Sequence, residues 1–502
     1  MKIKKLFVIL CMILMLSITS CEKVTEFPKA SDDVIKGSYE MLYMDGTKKE
    51  KSYEYSDAYF KNEEFNLDLM RMSYNAAYSF SNVSRNGILD YEFKELFTNL
   101  GYSSFYANPY YYEKTDLDNI GMLFASKKVY IKDKDYTIIA SVLRGGEYYY
   151  EWAANFIVGN EGDHKGFKTA SIKYIDELNK YAKSVNAKDT ILWLSGYSRA
   201  GAVANLSASY IDNYINYKNT QEWLTEEYKI ENLDFDLELN NLYCYTFEAP
   251  NGALDKNTKA LNEVTKNIYN ICNDADIVQM VLPKSFSFTK YGNVKSYNLA
   301  DDSDLLKKTN ELFDNKYKNK VNLYGFSFTK MENSTEIKLS DTTKLYLNKL
   351  DETVYTKKFF EDEIAKIADI FETREKYSEL FDELLEEVFS KVRTLDDANL
   401  EKLTDNLLKN FKDSVMTSIL LKSQVEDNIK KAFDTVNLKL SDKAYTKIGD
   451  IHSVLKSLLF NLLKTDDLGN FGHVAATLYV NINDLTINHY PELIYAFVNA
   501  IK

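Results

Sequence analysis

Ser198 stands in a segment of small residues, Ser195-Gly196-Tyr197-Ser198-Arg199-Ala200-Gly201. The apolar run Thr190–Leu194 precedes it and predicts a strand, and a helical pattern begins near Ala200. A strained strand-to-helix turn of this kind lifts a serine Oγ above a sheet, where the hydroxyl can act as a nucleophile. Serine in a Gly-rich turn also serves as a helix cap. The apolar strand before Ser198 and the small residues after it favour the nucleophile.

A nucleophilic serine needs an imidazole base, a carboxylate that orients the base, and N–H donors for the oxyanion. The chain has four histidines that can supply the base: His164, His452, His473 and His489. We predict the N–H donors at Gly146, in the turn Arg144-Gly145-Gly146 after the strand Tyr136–Leu143, and at Arg199. A plain loop after a strand explains the Gly-rich turn equally well.

The segments around these residues alternate between apolar strands and amphipathic helices from about Val129 to Gly292. This alternation predicts an α/β fold, with a largely parallel sheet and helices on both faces. The predicted elements are a hairpin of Lys128–Lys132 and Tyr136–Leu143, helices over Phe167–Val185 and Ala200–Tyr214, and strands over Thr190–Leu194, Leu242–Phe247 and Ile268–Cys272.

A long helical insertion is predicted after this core, because Phe326–Ile448 contains no Gly or Pro. Apolar residues recur there at helical spacing, as in Phe360, Ile364, Ile367, Ile370 and Phe371, and in Leu380, Leu384, Leu385, Val388 and Val392. We expect this block to fold over the serine as a cap. The predicted domains are a signal peptide (1–20), a tether (21–36), a helical N-terminal subdomain (37–127), the α/β core (128–295), the insertion (296–470) and the C-terminal part of the core (471–502).

The first residues have the pattern of an export signal. Lys2, Lys4 and Lys5 precede the apolar run Leu6–Leu16, which is too short to span a bilayer as a mature helix. The run ends in Ile18-Thr19-Ser20-Cys21, which resembles a bacterial lipobox and implies lipidation of Cys21. An ordinary signal peptide that contains a Cys is the alternative. We expect the protein at the extracytoplasmic face of a bacterial cell membrane, held there by the lipid.

The composition excludes some classes of function. Over its 502 residues the chain has 62 Lys+Arg against 75 Asp+Glu, a net charge of -13, with no basic stripe for nucleic acid. Its four cysteines are too few for a disulfide framework or a Cys-rich metal site. Cys244 and Cys272 lie in apolar runs, so we expect buried thiols rather than a bridge. Neither a metal nor an organic cofactor is implied.

Several segments, in this order and spacing, resemble the class 3 (triacylglycerol) lipases of the α/β-hydrolase fold, and more closely lipase-like proteins of low-GC Gram-positive bacteria. They are Val142–Gly146 with Trp152, His164–Phe167, the Gly196–Gly201 elbow, Thr246–Pro250, Asn273–Val278 with Leu282-Pro283, and the C-terminal His489-Tyr490-Pro491-Glu492. The resemblance covers about Val129–Gly292 and the last fifteen or so residues.

The resemblance implies that Asp276 is the triad acid, with Asp274 as its neighbouring competitor; from sequence alone both also fit loop caps. In this fold the base follows the acid along the chain, which excludes His164. His452 is placed at a helix start and fits a cap or surface role. His489 is favoured over His473 because it lies on a turn ahead of the final helix, Leu493–Ile501.

The predicted function is a lipid-anchored serine hydrolase that cleaves carboxylic esters, with an ester or lipid as substrate. Two departures from the lipase pattern, Gly146 after Arg-Gly and Ala200 at an elbow glycine, favour the alternative of an inactive hydrolase fold that binds a partner. A peptidase or acyltransferase on the same triad is a third possibility, because the acceptor is not encoded in any motif.

Overall fold

The structure, a computed structural model, describes residues 27–43, 46–81, 90–108, 119–145, 149–274, 276–280, 282, 284–297, 299, 302–314, 325–326, 355–356, 373–417, 422–462 and 487–502. Within these residues the chain begins with an antiparallel hairpin of two strands, followed by two helices: β1 (Ile35–Leu42), β2 (Lys48–Tyr55), α1 (Leu67–Ser81) and α2 (Asp90–Asn99).

A seven-stranded sheet forms the centre of the molecule. The strands that follow α2 are β3 (Ser103–Ala107), β4 (Met122–Ile131), β5 (Lys134–Leu143), β6 (Thr190–Tyr197), β7 (Leu242–Phe247), β8 (Ala253–Leu254), β9 (Ile268–Asn273), β10 (Phe288–Thr289) and β11 (Asn293–Tyr297). The order across the sheet is β11-β9-β7-β6-β5-β4-β3, and β8 pairs with β10 separately. From β5 to β11 all neighbours are parallel, whereas β3 and β4 join antiparallel at one edge.

The predicted strands and helices of the core are confirmed, although β4 begins six residues before the predicted Lys128–Lys132, and the helix that starts at Arg199 ends six residues beyond the predicted Ala200–Tyr214. The hairpin β4–β5 turns at Lys132 and Asp133, whose φ angles of 51° and 58° suit a tight two-residue turn. The helices of the core are α3 (Tyr149–Ala154), α4 (Lys165–Ser184), α5 (Arg199–Thr220), α6 (Asp255–Leu261) and α7 (Ser303–Leu312). Helix α7 lies within the predicted insertion (296–470), but its Leu305 belongs to the apolar cluster of the core, so the core extends beyond the predicted boundary at 295.

Two layers cover the sheet. One face packs against α4 and α5 through an apolar cluster that includes Phe167, Leu192 and Val203. The opposite face packs against β1, β2, α1, α2 and the last helix through a cluster that includes Tyr55, Trp193 and Phe497. Both faces are therefore buried, as parallel sheets require. These features confirm the predicted α/β-hydrolase fold.

The N-terminal region differs from the predicted helical subdomain over 37–127. It contains β1, β2, β3 and most of β4 as well as α1 and α2. β3 and β4 belong to the seven-stranded sheet, whereas β1, β2, α1 and α2 form an N-terminal layer that covers one of its faces. The indole Nε1 of Trp193 on β6 donates to Ser73 Oγ on α1 at 2.7 Å. Buried tyrosines alternate with exposed polar residues along β1 and β2, because only one face of each of these strands is buried. This alternation produced the mixed sequence pattern of the segment. The predicted tether is also shorter, since Tyr130 N donates to Pro28 O at 2.7 Å.

The longer described segments of the insertion, 373–417 and 422–462, are helical. Two short strands, β12 (Gly325–Phe326) and β13 (Tyr355–Thr356), pair with each other. Four helices follow: α8 (Arg374–Val392), α9 (Asp397–Thr417), α10 (Lys422–Asp434) and α11 (Asp442–Leu462). They share an apolar core of their own that includes Leu384, Leu403 and Phe433. The predicted helix through Phe360–Phe371 lies outside the described residues.

The chain ends in helix α12 (Pro491–Ala500), close to the predicted Leu493–Ile501. Its anchors come from α1: Tyr74 Oη donates to Pro491 O and Arg71 Nη2 donates to Ile501 O, both at 2.6 Å. The N-terminal layer thus fixes the residues that lead into α12.

Candidate active site

Ser198 lies between β6 and α5 in a strained conformation, with φ 59° and ψ -132°. A Cβ on Gly196 would lie 2.4 Å from Ala200 O, which explains why a glycine stands there. Gly201, rather than residue 200, makes the close approach to the next strand: its Cβ would lie 2.9 Å from Ala249 Cβ. The strained turn therefore forms with Ala200 in place.

His489 ends a short 3₁₀ turn, Ile487–His489, directly before α12. Its Nε2 lies 2.8 Å from Ser198 Oγ, and its Nδ1 lies 2.6 Å from Asp276 Oδ2. An ionised carboxylate has no proton to donate, so Nδ1 carries the proton and Nε2 is left to accept the serine hydroxyl. The three side chains form one continuous chain of hydrogen bonds.

Asp276 is buried directly after β9, and its second oxygen accepts the Val278 N–H at 2.9 Å. Asp274, the neighbouring candidate, is half-buried instead. Its N–H donates to Tyr297 O, and its carboxylate accepts the Ser296 hydroxyl on β11. The structure thus brings Asp276 to the imidazole and holds Asp274 at the edge of the sheet.

Tyr197 contacts His489 through both its ring and its hydroxyl. Its ring stacks on His489 at 4.9 Å between centroids, and its hydroxyl donates to the His489 carbonyl. Burial raises the pKa of Tyr197 well above its usual range, so the hydroxyl stays protonated and remains a donor. The sequence analysis treated Tyr197 only as part of the elbow motif.

Arg199 begins α5 immediately after Ser198, so its N–H lies at the positive end of that helix. Gly146 lies outside the described residues, but the residues before it are described. A Cβ on Gly145 would lie 3.4 Å from Tyr197 O and 3.9 Å from Ser198 Cβ, so this turn passes against the serine.

A buried ion pair fixes that turn. Arg144 Nη2 donates to Glu151 Oε1 on α3 at 2.7 Å, and both side chains are fully buried. Truncating one partner of such a pair leaves a buried charge without compensation, which makes the pair a strong constraint on the loop. The sequence analysis missed Glu151, because no pattern distinguishes it from a surface glutamate.

Glu248 is a second residue that the sequence analysis missed. It follows β7, is fully buried, and its carboxyl lies within hydrogen-bonding reach of the Asp276 carboxyl. The available signal was its position in Thr246-Phe247-Glu248-Ala249-Pro250, where the lipase pattern has a glycine.

None of the other three histidines is placed at Ser198 in the described residues. His164 is fully buried ahead of α4, where its ring stacks on Phe167 and its Nε2 lies 3.1 Å from Asn155 O. His452 lies on α11. His473, and the predicted lipidation site Cys21 with its signal segment, lie outside the described residues.

Both cysteines of the core are buried free thiols, as predicted for Cys244 and Cys272. In the part of the chain that the structure describes, no group of histidine, cysteine, aspartate and glutamate side chains has the arrangement of a metal site. Among those same residues, no helix has the length and apolar character needed to cross a membrane.

Comparison with known proteins finds no matching family model and no matching curated protein. Solved structures to which the chain is similar include fungal lipases. A Rhizomucor miehei lipase–propeptide complex is 18% identical, over 46% of this chain and 67% of that one, with a TM-score of 0.29. Lipase II of Rhizopus niveus is 13% identical, over 46% and 79%, with a TM-score of 0.30. The lipase of Rhizopus microsporus var. chinensis is 13% identical, over 55% and 80%, with a TM-score of 0.30.

Proposed function

We propose that the protein is a serine hydrolase that cleaves carboxylic esters. The observation that supports this most strongly is the hydrogen-bonded chain from Ser198 Oγ through His489 to Asp276 Oδ2. A serine at a strained elbow, an imidazole with its Nε2 toward the hydroxyl, and a buried carboxylate on Nδ1 are the parts of an acyl-transfer site.

In the proposed reaction, Ser198 Oγ attacks the ester carbonyl while His489 Nε2 takes the hydroxyl proton. Asp276 holds the imidazole in the required tautomer and stabilises the imidazolium. The oxyanion is bound by the N–H groups of Arg199 and Gly146. The tetrahedral intermediate expels the alcohol, which takes the proton from His489. Water, deprotonated by the same base, then releases the acid from the acyl-enzyme.

A lipid anchor at Cys21 is part of the same proposal, and it is supported by the lipobox-like segment Ile18–Cys21. The substrate would then be an ester or lipid outside the cytoplasm, met at or near the membrane.

A panel of short- and long-chain nitrophenyl esters tests the hydrolase. We expect hydrolysis by the wild type and a loss of about 10⁴-fold in kcat for Asp276→Asn, because the wrong histidine tautomer is then stabilised. His489→Ala is expected to lose at least as much. Asp274→Asn is the matched control, two residues away, and we expect it to stay within a few-fold of wild type.

The same panel tests the alternative of an inactive fold that binds a partner. Hydrolysis absent from wild type and variants alike would favour the binder and contradict the hydrolase. Ala200 no longer favours the binder, because the turn at Ser198 is strained with Ala200 in place.

A further inference from the structure

Glu248 occupies a backbone conformation that a glycine would adopt without strain. Its φ is 47°, in the left-handed region that side-chain-bearing residues rarely enter. Strain of this kind persists where the surroundings hold the residue in place, and it concentrates at functional sites. We therefore expect the Glu248 side chain to have a role that a glycine at this position could not fill.

The carboxyl group of Glu248 holds the segment that carries Asp276. Its Oε1 accepts the Asn273 N–H at 2.8 Å, and its Oε2 accepts the Gln279 Nε2–H at 2.6 Å. Gln279 Nε2 also donates to Asn273 O at 2.8 Å. Both ends of the segment 273–279 are thus tied to this one side chain.

Glu248 and Asp276 are two buried carboxyl groups in contact, and such a pair shares a proton rather than ionising twice. Each carboxyl accepts two N–H groups: Glu248 those of Asn273 and Gln279, and Asp276 those of His489 and Val278. The shared proton belongs on Glu248, because only Asp276 adjoins the imidazole whose positive charge it must balance during the reaction. Burial and the Asp276 carboxylate raise the pKa of Glu248 well above its usual range.

The other titratable groups around the pair leave this assignment unchanged. Lys290 is buried beside it, but its Nζ donates to Asn251 Oδ1 at 2.6 Å. Burial lowers the pKa of Lys290. Burial raises the pKa of Cys272 to about 12 and raises the pKa of Tyr197 well above its usual range, so both groups are neutral.

We propose that Glu248 is a neutral carboxylic acid whose O–H donates to the Asp276 carboxylate and positions it toward His489. This role rests on the proposed hydrolase function. Glu248 is a positioning residue: it acts on Asp276 and, through it, on the imidazole. A neutral partner fixes the Asp276 oxygens without adding a second negative charge beside the base.

Infrared spectroscopy tests the protonation without any need for activity. At neutral pH we expect the carbonyl stretch of protonated carboxylic acids in the wild type, and a decrease of that band in the difference spectrum of Glu248→Gln. Part of the band remains in the variant, because burial also raises the pKa of Asp212 well above its usual range. Asp274→Asn is the control and keeps the band. An unchanged band in Glu248→Gln overturns the proposal, whether or not the protein hydrolyses esters.

The pH profile of kcat/KM tests the positioning. The side-chain amide introduced by Glu248→Gln is also a neutral donor, so we expect the acidic limb to stay in place and kcat to stay within a few-fold of wild type. In Glu248→Leu the donor is lost, and we expect kcat to fall about 10- to 100-fold with KM unchanged. A downward shift of the acidic limb by about one pH unit or more in Glu248→Gln would show an ionised Glu248 and overturn the proposal.

Two further readouts separate the possible failures. The kcat of Glu248→Leu tests the positioning role only if the circular dichroism and melting curve of this variant match those of wild type. If they do not, the pH profile of Glu248→Gln and the infrared band test the proposal. If Glu248→Gln decreases the infrared band but wild type hydrolyses no ester, the protonated Glu248 stands and the proposed function fails. Unchanged kcat in a folded Glu248→Leu overturns the positioning role.

Discussion

At the scale of single residues, two residues of the candidate site, Ser198 and Glu248, are among the non-glycine residues with strained backbone conformations in the described part of the chain. Both residues have a positive φ, and hydrogen bonds made at or beside each residue oppose relaxation of its backbone. For a residue other than Gly such a conformation costs about 1–3 kcal/mol. The fold around the triad must supply that stability, and the strands β6, β7 and β9, which are buried on both sides, contribute to it.

His164 gives a pH-dependent prediction at the same scale. Burial lowers its pKa to about 3, whereas an unperturbed histidine titrates near about 6.5. Below about pH 6.5 the unfolded chain therefore binds a proton that the folded chain does not, so the free energy of unfolding falls as the pH falls. His164 alone contributes a loss of about 1.4 kcal/mol per pH unit across this window.

Urea unfolding of wild type and His164→Gln measures this contribution. Between neutral pH and about pH 5 we expect wild type to lose about 2 kcal/mol more than the variant. Equal losses in the two proteins would contradict a neutral, buried His164.

At the scale of elements, helix α8 joins the insertion to the core through the loop at Val158–Glu161. Arg374 donates to three carbonyls of this loop, with Nε 2.7 Å from Gly159 O. Asp382, two turns along the helix, accepts the Val158 and Gly159 N–H groups at 3.0 and 2.8 Å. The loop is thus held through both its carbonyl and its amide groups.

We expect Asp382→Ala to loosen this junction, because it leaves two buried N–H groups without their acceptor, at about 1–3 kcal/mol each. Limited proteolysis and thermal unfolding should show faster cleavage around α8 and a lower Tm. Glu386→Ala is the control: its ion pair with Lys165 is half-exposed, and we expect less than about 1 kcal/mol. Identical behaviour of the two variants would contradict the junction.

The elements of the core could be predicted from sequence because their signals are local. The strands β6, β7 and β9 are apolar runs, and the elbow lies between such a run and a helical pattern. The choice of Asp276 needed a family resemblance, since Asp274 fits the same local pattern. Asp382 could not be identified, because its partners lie more than 200 residues away. Glu248 could be recognised only as a departure from the lipase pattern, because its partner Asn273 lies 25 residues away. The strands β1 and β2 were missed because their burial depends on the sheet that they cover.

At the scale of the whole molecule, the N-terminal layer has two roles. It covers one face of the sheet, and through α1 it anchors α12 and the turn that carries His489. It also begins close to the proposed lipid anchor. Pro28 is already bonded to β4, so the chain from Cys21 to Pro28 spans at most about 25 Å. A lipid on Cys21 would hold the core close to the membrane surface.

Cell fractionation tests this anchoring. We expect Cys21→Ala to move the protein out of the membrane fraction, because the lipid has no attachment site. Cys11→Ala removes a cysteine of the predicted signal segment and is expected to leave the distribution unchanged. Wild type and Cys21→Ala found in the same fraction would contradict the lipid anchor.

The most direct measurement of the central claim is labelling by a fluorophosphonate probe, with the modified residue identified by mass spectrometry of the peptides. We expect one adduct, on Ser198, and no labelling of Ser198→Ala. Ser195→Ala is the matched control, since it removes a buried hydroxyl that makes no hydrogen bond to the described residues, and it should label like wild type. Undiminished labelling of Ser198→Ala, or an unlabelled wild type, would contradict a nucleophilic Ser198.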